Sequence, residues 1–355
     1  MRSAEAALEE SKRYFREEVA PKAQLIDQDP AMVAEAMRGL CERDLMALKR
    51  PAKFGGPEMS EPMFREYQEE IARTSGALAF LTTQHQSAVA MLSSCENQDL
   101  AAEYLPQMGD GGKLVGIGFS QLRRGGPPIM RAEPVDGGYR LEGHVPWITG
   151  GGLFPEFMIG AALPDGRSVF GIVPLEDRER EIKVSPPMRL AAMESANTVS
   201  AEFSGFFLPK ERVAYIRPPN WIKNNDQINV ALQGHFALGC AQAGIDIVRQ
   251  AGEKKGISFL TDAAAALEQE LADCHVATAE AQKSVDEETT DERLRVRAWA
   301  IELAVRCAHA AIAASSGAAN SLSHPAQRVY REALVYTVSA QTTAVMEATV
   351  RRLRR

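Results

Sequence analysis

The chain has 355 residues, 45% hydrophobic and 25% charged, with a formal net charge of −7 from 40 Lys and Arg against 47 Asp and Glu. That composition belongs to a folded globular protein long enough for two or three domains or one large composite core. No basic stripe is interleaved with aromatics, which excludes the usual nucleic-acid footprint, and no apolar run approaches the length of a membrane span. Residues 1 to about 113 read as helices. Ala4–Val19 is amphipathic and is followed by Pro21; Pro30–Leu48 repeats the pattern. Arg50–Ser60, "RPAKFGGPEMS", is a Gly- and Pro-dense loop. Glu61–Arg73 and Leu78–Cys95 are further helices, and Asn97–Leu105 is a short one that Pro106 and Gly109–Gly112 are expected to stop.

From residue 114 to about 215 the period changes from helical to alternating. "KLVGIGFS" and "GYRLEGHVPWIT" alternate, with Gly137-Gly138 set between flanking strands. "EFMIGAAL" and "SVFGIVPL" are two strands joined by Pro164-Asp165-Gly166, a hairpin signal, and Val199–Leu208 is another strand. The expectation is a compact, barrel-like β domain. "HVPWITGG" (His144–Gly151) is its most unusual stretch: an indole, a branched aliphatic and a hydroxyl in a row, then two glycines. Strand periodicity places Trp147 and Thr149 on one face and Ile148 on the other. Two readings stand: a strand ending in a turn with Trp147 in the core, or a flat ring beside a hydroxyl as the seat for a flat, polar-edged ligand.

Residues 216–355 turn helical again. Leu232, Phe236, Cys240 and Ile247 form one stripe; Leu267, Leu271, Cys274 and Ala277 a second; Leu294, Ala298, Ile301, Val305, Ala308 and Ile312 a third. A fourth helix starts near Pro325, and near-heptad spacing over four long helices predicts a four-helix bundle. Helical, then β, then bundle is an α+β order that does not alternate, which rules out a Rossmann fold. "VGIGFSQL" has Gln121 where a third glycine is needed, and "QMGDGGKL" has Gln107 and Leu114 where a P-loop needs Gly and Ser/Thr. Cys41, Cys95, Cys240, Cys274 and Cys307 are scattered and odd in number, and no signal peptide follows Met1-Arg2-Ser3. We expect reduced thiols in the cytoplasm, no metal site, and a solvated helix end at Arg351–Arg355.

Several of these segments, in register, resemble the acyl-CoA dehydrogenase family. "EEVAPKAQLID" and "KFGGPEMSEPMFREYQEEIARTSGALAF" are similar to its N-terminal helical domain, and "GYRLEGHVPWITGG" is similar to its Trp-Ile-Thr strand. "AMESANTVSAEFSGFFLPKERV", "LADCHVATAEA" and "HPAQRVYREALVYT" resemble the strand leaving its β domain and two bundle helices. The resemblance covers essentially the whole chain. It implies an N-terminal helical domain over 1–113, a middle β domain over 114–215 and a four-helix bundle over 216–355. It implies FAD as cofactor, with Trp147 packed on the isoalloxazine, Thr149 offering its hydroxyl near N5, and Ile148 pointing away or lending backbone contacts. Phe119 and Ser120 match the loop over the flavin edge, and Gly125 and Gly126 the loop approaching the pyrophosphate, with Gly126 replacing the usual Ser. Lys254, or its neighbour Lys255, matches the Arg that reaches a partner subunit's FAD, and Thr342 follows the base position as a further cofactor contact. Acyl-CoA as substrate, an electron-transfer flavoprotein as electron acceptor, and a homodimer or homotetramer are implied with it.

The departures bear on the chemistry. In the family a Glu near the chain end removes the substrate's α-proton as hydride leaves Cβ; the ungapped alignment puts Ala340 there. The alternative base position falls at Asn229, beside Val230. The nearest carboxylates are Asp226, about one turn earlier, and Glu347, two turns after Ala340. The family's Gln-x-x-Gly-Gly turn becomes "AASSGAAN", which keeps Gly317. Three readings follow: an FAD-dependent acyl-CoA dehydrogenase-like oxidoreductase acting on CH–CH groups; a flavin-dependent monooxygenase on the same fold, using FAD or FMN supplied by a flavin reductase; and a non-catalytic relative that keeps the fold.

Overall fold

The computed structural model describes residues 2–286 and 288–354; Met1, Glu287 and Arg355 lie outside the described residues. Six helices come first: α1 (Ala4–Tyr14), α2 (Ala23–Gln28), α3 (Pro30–Glu42), α4 (Glu61–Thr74), α5 (Gly76–Ser93) and α6 (Gln98–Met108). Their starts follow from capping side chains. Ser3 accepts from the Ala6 N–H, Asp29 from Ala31 with Pro30 at the first helical position, Ser75 from Leu78 and Asn97 from Leu100.

Three boundaries differ from the sequence expectation. The first helix widens to a π-turn over Phe15–Val19, where Ala20 bonds back to Phe15; Pro21, which lacks an N–H and crowds the preceding turn, follows directly. The second ends at Glu42 rather than Leu48, because Asp44 turns left-handed (φ 55°) and the Leu45 N–H returns to the Leu40 carbonyl. The sixth runs through Pro106 to Met108, since a proline in the last turn forfeits a single i−4 bond while Leu105 and Met108 gain burial.

Eight strands form one sheet: β1 (Val115–Gly118), β2 (Met130–Val135), β3 (Gly138–Ile148), β4 (Glu156–Ala162), β5 (Ser168–Pro174), β6 (Ile182–Val184), β7 (Val199–Pro209) and β8 (Val213–Arg217). Their order is β6-β7-β3-β2-β4-β5-β8, with β1 paired in parallel to β4. The expected hairpin β4–β5 is present, and the strands flanking Gly137-Gly138, β2 and β3, also pair antiparallel. Two short strands, β6 and β8, were not expected, and β8 carries the sheet to Arg217. At Gly118 a Cβ would lie 2.7 Å from the Phe157 ring, so β1 can lie against β4 only with glycine there.

The remaining helices are α7 (Trp221–Asn229), α8 (His235–Lys255), α9 (Ser258–Ala281), α10 (Thr290–Ser315), α11 (Pro325–Val338) and α12 (Thr343–Leu353). The long ones, α8 to α11, pack as expected, and α8 also packs on α4, joining bundle and N-terminal helices into one core. Gly239 permits that contact: a Cβ there would meet the Glu69 carbonyl oxygen at 2.2 Å. The last helix breaks at Ser339–Gln341, where Ala340 is left-handed (φ 49°), and resumes as α12. All five cysteines are free. Among the described residues no helix is long and apolar enough to cross a membrane.

Candidate functional site

The end of β3 is an irregular strand. Val145 pairs with Ala201 and Ile148 with Val199, so three residues of β3 advance while β7 advances two. That extra residue is a β-bulge, and it re-aims the side chains. Ile148 is buried, Trp147 is 49% exposed and Thr149 only 5% exposed. The core reading of Trp147 therefore fails: its indole faces solvent. Trp147 and Thr149 differ in burial, the ring half-exposed and the hydroxyl covered.

The residues that follow the indole are rich in hydroxyls. Thr149 Oγ1 lies 3.1 Å from Thr198 Oγ1. The Gly150 N–H donates to the Ala196 carbonyl at 2.9 Å and the Gly151 N–H to Asn197 at 2.8 Å. Met193 and Asn197, both left-handed, bracket the turn that carries Ser195; its buried hydroxyl has no partner. At Gly150 (φ 99°) a Cβ would come within 2.4 Å of the Phe154 ring. Behind Phe154, whose ring centroid is 6.0 Å away, stands the fully buried His85. The Val115 N–H donates to His85 Nδ1 (3.0 Å), so Nε2 carries the proton and donates to the Met108 carbonyl (3.0 Å). Burial holds this imidazole down to about 4, so at neutral pH it is an uncharged brace between α5, α6 and β1.

The loop after β1 is split in its roles. The half-buried Phe119 ring packs edge-on against the buried Phe170 (5.6 Å). Ser120 keeps a buried hydroxyl without a partner. Gly125 and Gly126 are exposed, Gly126 is left-handed (φ 90°), and a Cβ on either would meet nothing within 4 Å. Between these, Arg123 grips Asp226 of α7 with both arms of its guanidinium, Nε at 2.6 Å and Nη2 at 2.9 Å.

At the bundle end, neither carboxylate considered as a base is free. Ala340 is exposed on the turn between α11 and α12. Asp226 is buried within its pair with Arg123, and Glu347 lies on the exposed side of α12 paired to Arg351 at 2.6 Å. Asn229 bonds back to the Asn225 carbonyl (2.9 Å), and Val230 is buried. Thr342 caps α12 by accepting from the Val345 N–H. Lys254 is exposed in the last turn of α8, whereas Lys255 donates to the Ala314 carbonyl (2.6 Å). Among the described residues no group of three His, Cys, Asp or Glu is placed to hold a metal ion.

Sequence reasoning gave no role to three pairs of residues. Ser195 and Thr198 enter through the left-handed turns around "SANT", visible in the letters only as small polar residues ahead of a strand. Arg328 and Glu332 join α11 to the N-terminal helices: the fully buried Glu332 accepts from Arg328 Nη1 at 2.8 Å and 2.9 Å and from the Gly76 N–H at 2.9 Å. Burial pushes the Glu332 carboxyl up against the pull of Arg328. Arg293 and Arg297 are buried on α10. Their signal was present, since both fall at core spacing with Ala300, Ile301 and Ala304.

Comparison with known proteins matches residues 2–112 to the model "Acyl-CoA dehydrogenase, N-terminal domain" and residues 257–343 to "Acyl-CoA dehydrogenase, C-terminal domain". The chain is 24% identical over 209 residues to a mitochondrial 2-methylacyl-CoA dehydrogenase of Solanum tuberosum, covering 57% of this chain and about half, 51%, of that protein. It is 25% identical over 270 residues to a benzylmalonyl-CoA dehydrogenase of Aromatoleum aromaticum, covering 74% of this chain and 71% of that one. Its fold is that of a glutaryl-coenzyme A dehydrogenase solved with glutaryl-CoA: TM-score 0.82 and 18% identity over 99% of this chain and 95% of the other.

Proposed function

The chain belongs to the acyl-CoA dehydrogenase family, and from that premise we propose that it is an FAD-dependent oxidoreductase of acyl-CoA thioesters acting at a CH–CH bond. The observation that carries this reading is the end of β3: a half-exposed Trp147 two residues from the buried Thr149, whose hydroxyl meets Thr198, next to a turn that leaves the buried Ser195 hydroxyl without a partner. An exposed indole costs the fold its burial energy, and an orphaned buried hydroxyl costs about 1–3 kcal/mol. Both costs are offset if a flat ring stacks on Trp147 and a polar edge meets Ser195. The residues therefore fit a flavin.

Trp147 would hold the ring face and Thr149 the edge near N5. The open backbone of Gly125 and Gly126 would face the pyrophosphate and Ser120 the flavin edge, with Lys254 and Thr342 further along the cofactor. A bound flavin supplies an acceptor for the hydride from the substrate's β-carbon. This chain's residues supply binding and orientation: the turn at Gly150–Gly151 fixes the Thr149 hydroxyl, and the Arg123–Asp226 pair anchors the loop before Gly125. Removal of the α-proton falls to a group other than residue 340. The exposed apolar stripe of Tyr330, Leu334 and Val338 on α11, with Met346 and Val350 on α12, supports a homodimer or homotetramer. An electron-transfer flavoprotein is the proposed electron acceptor.

One observation favours a second reading. Every carboxylate considered as base is engaged or absent: Asp226 by Arg123, Glu347 by Arg351, and position 340 is a methyl group. A flavin-dependent monooxygenase needs no α-proton base and would take reduced flavin, FAD or FMN, from a reductase. Anaerobic titration of the FAD-loaded protein with acyl-CoAs of several lengths decides between them. Bleaching of the flavin absorbance supports dehydrogenation. An unchanged oxidised spectrum, with oxygen consumption when reduced flavin is supplied, replaces it with the second reading.

A further inference from the structure

Two arginines, one turn apart on α10, are almost entirely buried, and they are built differently. Arg293 is fully used: it donates to the carbonyls of Gln227, Ser284 and Asp286 and to the hydroxyls of Thr289 and Thr290, binding the loop before α10. Among the described residues Arg297, 2% exposed, has no carboxylate partner, and its Nε has no hydrogen-bond partner. Its Nη1 donates to the Gln233 carbonyl and its Nη2 to the Ser339 carbonyl at 3.3 Å. Gln233 lies in the turn that opens α8, and Ser339 immediately precedes Ala340. We propose that Arg297 is a positioning residue: its guanidinium clamps the turn carrying position 340 to the opening of α8, and so sets where that turn stands at the reacting end of the site.

The chemistry of the side chain supports this. A lone buried cation costs the fold several kcal/mol, so it is a poor choice for filling space. Burial lowers its pKa to about 10, which still leaves it charged at neutral pH. A planar fork can bond two carbonyls on separate segments, whereas a lysine ammonium reaches such a pair only as a point charge. The carbonyl it holds belongs to the C-cap of α11, where a cation also meets the negative end of the helix dipole. The turn needs holding: Ala340 is left-handed without being glycine, a conformation that costs about 1 kcal/mol and persists only when its surroundings impose it.

This inference rests on the proposed function for its meaning but not for its test. R297K and R297Q would be compared with the control R293K in the full-length, FAD-loaded protein by amide hydrogen exchange. Positioning predicts that residues 339–343 exchange about tenfold faster in R297K and R297Q while the interiors of α8 and α10 are unchanged. R293K should loosen the loop before α10 and leave that turn alone. Equal exchange of the turn in the R297 variants and in R293K overturns the proposal. The same substitutions would then be placed in A340E, which supplies a carboxylate on the turn. If A340E gains acyl-CoA-dependent flavin reduction, adding R297K should lower kcat about tenfold with KM nearly unchanged, the signature of a displaced base. An unaltered kcat would overturn the proposal. If A340E gains no activity while the exchange of the turn still responds to R297K, the clamp stands, and the dehydrogenase reading is decided separately by the acyl-CoA titration of the unsubstituted protein.

Discussion

The sheet end at Trp147 and the helical turn at Ala340 solve opposite problems. At the sheet end, backbone irregularity is spent on presentation: a bulge, two left-handed residues and a glycine at φ 99° turn one ring outward and three hydroxyls inward. At the bundle end the side chain is a methyl group, and the ordering comes from a cation behind it that holds a carbonyl rather than a ligand. On the proposed reading, one region offers uncharged groups to a cofactor, while the other keeps charge and carries a methyl group at position 340. If the proposed function holds, binding geometry and acid–base chemistry are held by separate parts of this fold, so either can change while the other stays.

The largest expected effect tests whether buried charge on the helical side is structural. E332Q leaves Arg328 buried with a neutral partner and weakens the bond from Gly76, so stability should fall by about 3–5 kcal/mol. Thermal or urea unfolding reads this directly. A loss below about 1 kcal/mol would mean that the Arg328 charge is neutralised by another group, such as Asp27 on α2.

Next is a pH effect on the brace behind the sheet end. His85 has its pKa lowered from 6.5 to about 4, so the unfolded chain binds the proton more tightly than the folded one between those values. Stability therefore rises with pH across that window and is lost as pH falls from about 6.5 toward 4, by roughly 3 kcal/mol in all. H85Q should flatten that acid limb. An acid limb of the same size in H85Q would assign the loss to carboxylates instead.

The sequence made parts of this contrast legible and hid others for definite reasons. Alternation in Gly138–Ile148 announced β3, and heptad-like spacing announced α8 to α11, because each pattern is local. The outward turn of Trp147 was not local: it depends on the count of residues in β7 opposite. Three-residue β6 exists through pairing with β7 and has no pattern of its own. Arg297 and Glu332 were passed over because an apolar-stripe reading skips charged residues at core positions, where they are the informative ones. Ala340 was legible as a missing base, but its left-handed turn and the arginine behind it were not.

A smaller effect sharpens the sheet side. T149V removes one hydroxyl of the Thr149–Thr198 pair and should cost about 1 kcal/mol of stability, the scale of one unpaired buried hydroxyl. If that hydroxyl lies near the flavin edge, the absorption spectrum or the reduction rate of the loaded protein should change as well. A loss of several kcal/mol with an unchanged spectrum would make Thr149 a core residue.

The smallest expected change in stability is the most telling for the site. Trp147 is half-exposed and packs against no other aromatic ring among the described residues, so W147A should alter folding stability by less than about 0.5 kcal/mol. The same substitution removes the broadest flat surface at the sheet end. Stacking on an aromatic face contributes about 0.5–1.5 kcal/mol beyond area burial, so flavin should bind several-fold to tenfold more weakly, measured by equilibrium titration of the apoprotein. W147F, which keeps a ring, should recover much of that affinity. A side chain that costs binding without costing the fold is what a presentation surface requires; the opposite result, a destabilised protein with unchanged flavin affinity, would move Trp147 out of the site and dissolve the contrast with the turn at Ala340.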